Sequence, residues 1–128
     1  VKAQCLAVLD IRKFRSYADF YGLDFGDELL RKFSLWAQNQ LKPNHINIYR
    51  LYSDKFALIP DFRMIPTLFE SHLLHFYELL SDLKLQVRDV EANLDVAIGM
   101  GVGDNKHLQL AESALSKAKA RPAMKWKP

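Results

Sequence analysis

The stretch from Asn47 to Pro60 sets the tightest limit on what this chain can fold into. Ile48, Tyr49 and Leu51 form one short apolar run, and Phe56, Leu58 and Ile59 form a second that Pro60 closes. β-Branched and aromatic residues on both sides of Ser53-Asp54-Lys55 mark a β-hairpin. So short a connection makes the two strands antiparallel neighbours and projects Asp54 and Lys55 from one end of a sheet. Upstream, Cys5-Leu6-Ala7-Val8-Leu9 is an unbroken apolar run that ends in Asp10. That pattern suits a strand buried on both faces. With this strand beside the hairpin, Asp10 and Asp54 approach each other, and two carboxylates at one sheet edge form a candidate Mg²⁺ site.

The rest of the chain alternates between helical and strand patterns. Phe14, Tyr17, Ala18 and Tyr21 recur at helical spacing, and Gly22 suits the C-cap. Asp24 is the expected N-cap of a second helix, with Asp27 and Glu28 in its first turn, where the dipole favours acids. Leu29, Leu30, Phe33, Trp36, Ala37 and Leu41 are its expected buried face, and Pro43-Asn44 ends it. Pro66 opens a third helix, whose expected stripe is Leu68, Phe69, Leu73, Phe76, Leu79 and Leu80. Val87 begins a weak strand, and Leu94 to Ile98 forms a better one, ended by glycines. Asp104 or Asn105 caps a last helix carrying Leu108, Ala111, Ala114, Leu115 and Ala118, which Pro122 terminates. Met124-Lys125-Trp126 adds an edge strand. The predicted order is β-α-α-β-β-α-β-α-β, an α/β fold with a central mixed sheet flanked by helices.

With 128 residues, 49% of them hydrophobic, the chain suffices for one domain with a real core and falls short of two. It opens without Met and directly on a strand, so a single domain, 1–128, excised from a larger multidomain protein is expected. No run of about twenty apolar residues is present to span a membrane, and no secretory signal is visible. The lone Cys5 cannot form an internal disulfide, which fits a reducing, cytoplasmic compartment, although the parent protein can still be membrane-anchored. In a core strand it reads as a small packed hydrophobe. The net charge of +3 is spread out apart from Lys117, Lys119, Arg121, Lys125 and Lys127. A solvated helix face and tail account for that cluster, so no nucleic-acid partner is expected. His72 and His75, with Glu78 at helical spacing, read as surface residues rather than a metal site. Gly99, Gly101 and Gly103 lack phosphate-loop spacing and read as structural.

Leu9-Asp10-Ile11 through Phe14, Tyr21-Gly22, Gly26-Asp27-Glu28-Leu29-Leu30, and Arg50 with the hairpin together resemble a GGDEF domain of the diguanylate cyclase family. Ala97-Ile98-Gly99-Met100-Gly101 and Ala114-Leu115-Ser116-Lys117-Ala118-Lys119 resemble its later signatures. The resemblance runs in order over nearly the whole chain. It implies the nucleotidyl cyclase or polymerase-palm type of sheet and a bacterial protein of cyclic di-GMP signalling. In such a family, acids hold two Mg²⁺ ions on GTP, and two domains face each other to join two GTP molecules.

Carried over by position, Asp10, Asp54 and the main-chain carbonyl of Ile11 take the metal-ligand places. Asp27 takes the place of a guanine-recognising acid and reads equally as a helix acid. Arg15 and Lys119 take phosphate-facing places and read equally as solvated cations. The signature itself departs. Where the family has Gly-Gly-Asp/Glu-Glu-Phe, this chain has Tyr52-Ser53-Asp54-Lys55-Phe56. Tyr52 and Ser53 put side chains where glycines let the backbone approach a nucleotide; the Tyr52 ring either fills that space or stacks on a base. Lys55 puts a cation in place of the second acid, able to pair with Asp10 or Asp54. Ala18 replaces a guanine-reading Asn, Arg12 an acid, and Ala123 or a neighbour a late phosphate-contacting Arg. Lys42-Pro43-Asn44-His45-Ile46 lacks the Arg-x-x-Asp of the inhibitory cyclic di-GMP site.

These departures imply a degenerate regulatory domain without cyclase activity. It would bind GTP, with Mg²⁺ as the accompanying ion, without turning it over, or act through packing or as a homodimer. The expected partner is a flanking sensor or EAL phosphodiesterase domain. An alternative is a weak ATP or GTP hydrolase, since Ser53-Asp54-Lys55-Phe56 is similar to the hairpin of cyclic-di-AMP phosphodiesterases. Another is a pure protein-interaction module.

Overall fold

The computed structural model describes residues 4–52, 54–103, 113 and 126–127. Strand β1 (Gln4–Arg12) leads into helices α1 (Phe14–Tyr21) and α2 (Leu23–Leu41), and a 3₁₀ turn at Lys42–Asn44 ends α2. The hairpin β2 (Ile46–Tyr52) and β3 (Lys55–Pro60) follows, then α3 (Pro66–Ser81). A second hairpin, β4 (Lys84–Val87) and β5 (Val90–Asn93), precedes β6 (Asp95–Gly103) and the short β7 (Trp126–Lys127). Five strands form one sheet in the order β2-β3-β1-β6-β7. Its pairs are antiparallel except β6 with β7, so the sheet is mixed, as expected.

The apolar run of β1 is central and buried on both faces. Cys5, Ala7, Leu9 and Ile11 join Phe25, Leu29 and Phe33 of α2 and Phe69, Leu73 and Phe76 of α3 in the main core. Burial raises the Cys5 thiol above its ordinary pKa, as suits a packed hydrophobe. Leu6 and Val8 point the other way and form a second buried cluster with Ala57 and Ala97, as the period-2 alternation of a strand requires.

Several expectations give way to tertiary context. Gly22, not Asp24, is the N-cap of α2, and Asp24 is the acid of its first turn; Asp27 and Glu28 lie beyond that turn. Gly22 also caps α1, at φ 103° and ψ 162°, a conformation nearly reserved for glycine, so two helices meet there without a loop. Leu68 and Leu79 are exposed rather than part of the buried face of α3. Val87 ends a strand instead of starting one, because Arg88 at φ 55° turns the chain back into β5. The glycines do not end the fourth predicted strand. Gly99 and Gly101 lie inside β6, opposite Val8 and Leu6 of β1. Among the described residues the observed order therefore has seven strands where five were predicted. The final predicted helix lies outside the described residues except Ser113, which is helical. Of the Met124 to Trp126 edge strand, Trp126 is placed, paired parallel to Ile98.

Candidate functional site

The end of β1 and the turn of the β2–β3 hairpin meet as the sequence suggests. The Ile11 N–H donates to the Asp54 carbonyl at 3.1 Å, which ties the turn to the strand end. The register then places Asp10 directly opposite Lys55. Cross-strand partners on one face have Cβ atoms about 4.5–5.5 Å apart, so carboxylate and ammonium stems rise side by side. Asp10 is only 5% exposed, and Asp54 and Lys55 are half-buried. Two residues on, Arg12 projects on the same face and lies opposite Asp95 of β6. The face thus carries Lys55, Asp10, Arg12 and Asp95 on three adjacent strands. One nitrogen of the Arg12 guanidinium, Nη1, is buried without a hydrogen-bond partner.

Tyr52 does not fold inward. It is 60% exposed, and the Lys55 ammonium lies 5.2 Å from its ring centroid, a cation–π contact. A bulge between Arg50 and Tyr52 shifts the hairpin register here. Ser53 and Lys119 lie outside the described residues. Phe56 is 1% exposed and meets Phe33 edge-on at 5.2 Å between ring centroids, so it anchors the hairpin in the main core.

The remaining candidates sit on the two helices. Arg15 is exposed on α1. Ala18 packs on Gly26 of α2: a Cβ built on Gly26 would come within 3.2 Å of the Ala18 Cβ and 3.1 Å of Phe14 Cζ. Asp27 lines an open surface cleft of about 340 Å³ with Asp24, Glu28, Arg31 and Arg88. Glu28 reaches Lys32 at 3.5 Å and Arg88 at 3.9 Å, and Lys32 donates to the Gln86 carbonyl at 2.6 Å. The β4–β5 hairpin, which the sequence reading did not see, is thereby held against α2 beside Asp27. Also unforeseen is a row of rings, with Tyr21 stacked on Phe25 at 4.5 Å and Tyr17 at 6.3 Å from each of them. The Tyr17 hydroxyl donates to the Asn93 carbonyl. Helical spacing from Tyr17 to Tyr21 was the available signal for this row. Among the described residues no three His, Cys, Asp or Glu side chains gather as a metal cluster, at His72, His75 and Glu78 or elsewhere.

An antiparallel β2-β3-β1-β6 sheet with helices on one face, and acids where a strand end meets a hairpin turn, has the palm-like architecture of nucleotidyl cyclases. A family model described as "Diguanylate cyclase, GGDEF domain" matches residues 2–125. The chain belongs to the GGDEF domain family. An EAL/GGDEF domain protein from M. capsulatus shares the fold at a TM-score of 0.85 with 21% identity, over 98% of this chain and 84% of that one. The GGDEF domain of DgcB from Caulobacter crescentus, solved in complex with c-di-GMP, matches at 0.80 with 20% identity, over 98% and 77%. An active GGEEF domain of a diguanylate cyclase from Vibrio cholerae matches at 0.78 with 16% identity, over 93% and 78%. No curated protein matches the chain. No helix among the described residues is long and apolar enough to cross a membrane.

Proposed function

We propose that this is a regulatory GGDEF domain of cyclic-dinucleotide signalling that makes no cyclic dinucleotide and acts through packing against other domains. The observation that carries this reading is the register of Asp10 against Lys55. Mg²⁺ takes an octahedral shell of hard oxygen donors. Asp10, Asp54 and the Ile11 carbonyl supply oxygens, but the face also presents Lys55 beside Asp10 and Arg12 two residues on. Two cations next to the first carboxylate repel a divalent ion, so this donor set does not fit the metal. The Lys55 ammonium instead supplies a positive charge built into the chain. The side chains at Tyr52 and Ser53 and the Ala18 methyl on Gly26 further support the loss of close nucleotide approach and of a base-reading amide. Asp27, Arg15 and Lys119 keep the residue types of a nucleotide site without the metal chemistry. The hydrolase reading needs a metal at the same carboxylates and meets the same obstacle.

In this reading residues 1–128 are one domain of a larger cytoplasmic or membrane-anchored protein. An EAL domain is the favoured neighbour, since the M. capsulatus protein of the same fold is an EAL/GGDEF protein. Equilibrium binding of GTP, ATP and cyclic di-GMP, each with and without Mg²⁺, tests it. The expected result is that Mg²⁺ leaves every affinity unchanged. GTP or ATP binding that strengthens tenfold or more with Mg²⁺ would overturn it.

A further inference from the structure

The sheet ends at β2, and among the described residues no strand pairs with its outer side. The Asp61 N–H donates to the His45 carbonyl at 2.9 Å, and Ile46 stands opposite Pro60, which has no N–H to give. Hydrogen-bonded and non-hydrogen-bonded pairs alternate along an antiparallel ladder. Ile46 and Ile48 therefore turn their N–H and C=O groups outward. β2 carries neither the Lys nor the Pro that ordinarily blunts an exposed edge.

The two faces beside this edge differ in chemistry. On one face Ile46 and Ile48 join Ala37 and Leu41 of α2 in the main core. There Gln38, Lys42 and the β2 residues from Ile46 to Tyr49 line a cleft of about 320 Å³. Among the described residues Lys42 is the one charged group lining it. Its side chain is exposed and has no ion-pair partner among those residues. Arg50, two residues beyond Ile48, projects on the same face by strand alternation. On the other face Tyr49 is 52% exposed beside Ala57, and Ile59 of β3 is 39% exposed. We propose that the outer edge of β2 is the docking site for an extended segment of a partner protein that alternates acidic and apolar residues.

Such a segment extends the sheet by one strand. Main-chain hydrogen bonds to Ile46 and Ile48 supply affinity, and alternate side chains supply selectivity. Residues directly opposite across a strand pair share a face. Side chains opposite Ile46 and Ile48 thus point toward Lys42, where acids suit. Those opposite Asn47 and Tyr49 point toward Tyr49 and Ile59, where apolar groups suit. The β2 of a second copy fits poorly: it has no acid, and its one charge, Arg50, has the sign of Lys42. The inference does not depend on the fate of the metal site at Asp10.

Amide NMR of the chain with blocked peptides tests this, using Val-Glu-Val-Glu-Val, Val-Lys-Val-Lys-Val, and the acidic peptide N-methylated at both glutamates. The acidic peptide should shift the Ile46 and Ile48 amides saturably and slow their exchange. The lysine peptide should bind about tenfold more weakly or worse, since charge complementarity sets the preference. The N-methylated peptide, unable to donate to the edge, should not bind. Lys42→Glu should prefer the lysine peptide. Lys42 is exposed, so this variant should keep the wild-type far-UV circular dichroism, and a reversed preference itself excludes misfolding as the cause. Equal binding of both charges, binding that survives N-methylation, or no saturable shift at millimolar peptide would overturn the proposal. So would a Lys42→Glu domain that does not prefer the lysine peptide. Ile48 exchange that slows with protein concentration alone would overturn it too, assigning the edge to a second copy.

Discussion

With GTP and Mg²⁺ or Mn²⁺, the domain should give no detectable cyclic di-GMP, while Tyr52→Gly/Ser53→Gly/Lys55→Glu should bind metal and GTP together. A preorganised charge at a reacting phosphoryl group is worth about 10²–10³ in rate for one donor, and a metal carries both charge stabilisation and activation of the attacking oxygen. Replacing the cation opposite Asp10 with an acid removes one of the two cations on this face, leaving Arg12, and adds a ligand in one step. Ala18 stays in the variant, so base selectivity should remain poor, and turnover, where present, should not discriminate strongly between GTP and ATP. A pocket that reads a base by hydrogen bonds loses roughly 1–3 kcal/mol when one partner is missing. Product analysis by chromatography reads both proteins. A linear or cyclic dinucleotide from the wild-type chain would contradict the expectation.

Phe56→Ala should cost about 3–5 kcal/mol of stability, as other Phe-to-Ala changes in cores do. The ring is 1% exposed, sits opposite Leu9 in the register and meets Phe33 edge-on. A domain of this kind is held by about 5–15 kcal/mol in all, so the loss is a large fraction. The expected fall in Tm is roughly 10–20 °C at this chain length. Phe20, 81% exposed on α1, is the matched control, and Phe20→Ala should stay within about 0.5 kcal/mol. Denaturant unfolding checks both. A Phe56 loss no larger than that of Phe20 would contradict the placement of the hairpin.

The fold was legible where one periodicity ran unopposed. The apolar run at Cys5 to Leu9 suits a strand buried on both faces, and Leu29, Leu30, Phe33, Ala37 and Leu41 recur at helical spacing. The β4–β5 turn was not legible because Arg88 takes the left-handed conformation that Gly or Asn ordinarily signals. Gly99 and Gly101 read as a strand end, yet they continue β6 because pairing along β1 outweighs their low strand preference. Leu68 and Leu79 share the apolar pattern of α3, but the stripe is wider than the surface it covers.

The candidate site was legible only as a meeting of residues. Sequence alone brings Asp10 and the hairpin turn to one sheet end. It cannot say that Lys55, rather than Asp54, stands opposite Asp10, because that depends on where the bulge between Arg50 and Tyr52 falls. A one-residue slip would turn Lys55 to the other face. The exposed Tyr52 ring under the Lys55 ammonium follows from the same bulge.

The central claim is that Lys55 stands where a metal would otherwise sit beside Asp10. Backbone amide NMR of Asp10, Ile11, Asp54 and Lys55 during a Mg²⁺ titration to millimolar concentration tests it most directly. The wild-type resonances should stay in place, and those of Lys55→Glu should move saturably. Saturable Mg²⁺-dependent shifts at these residues in the wild-type domain would contradict the account.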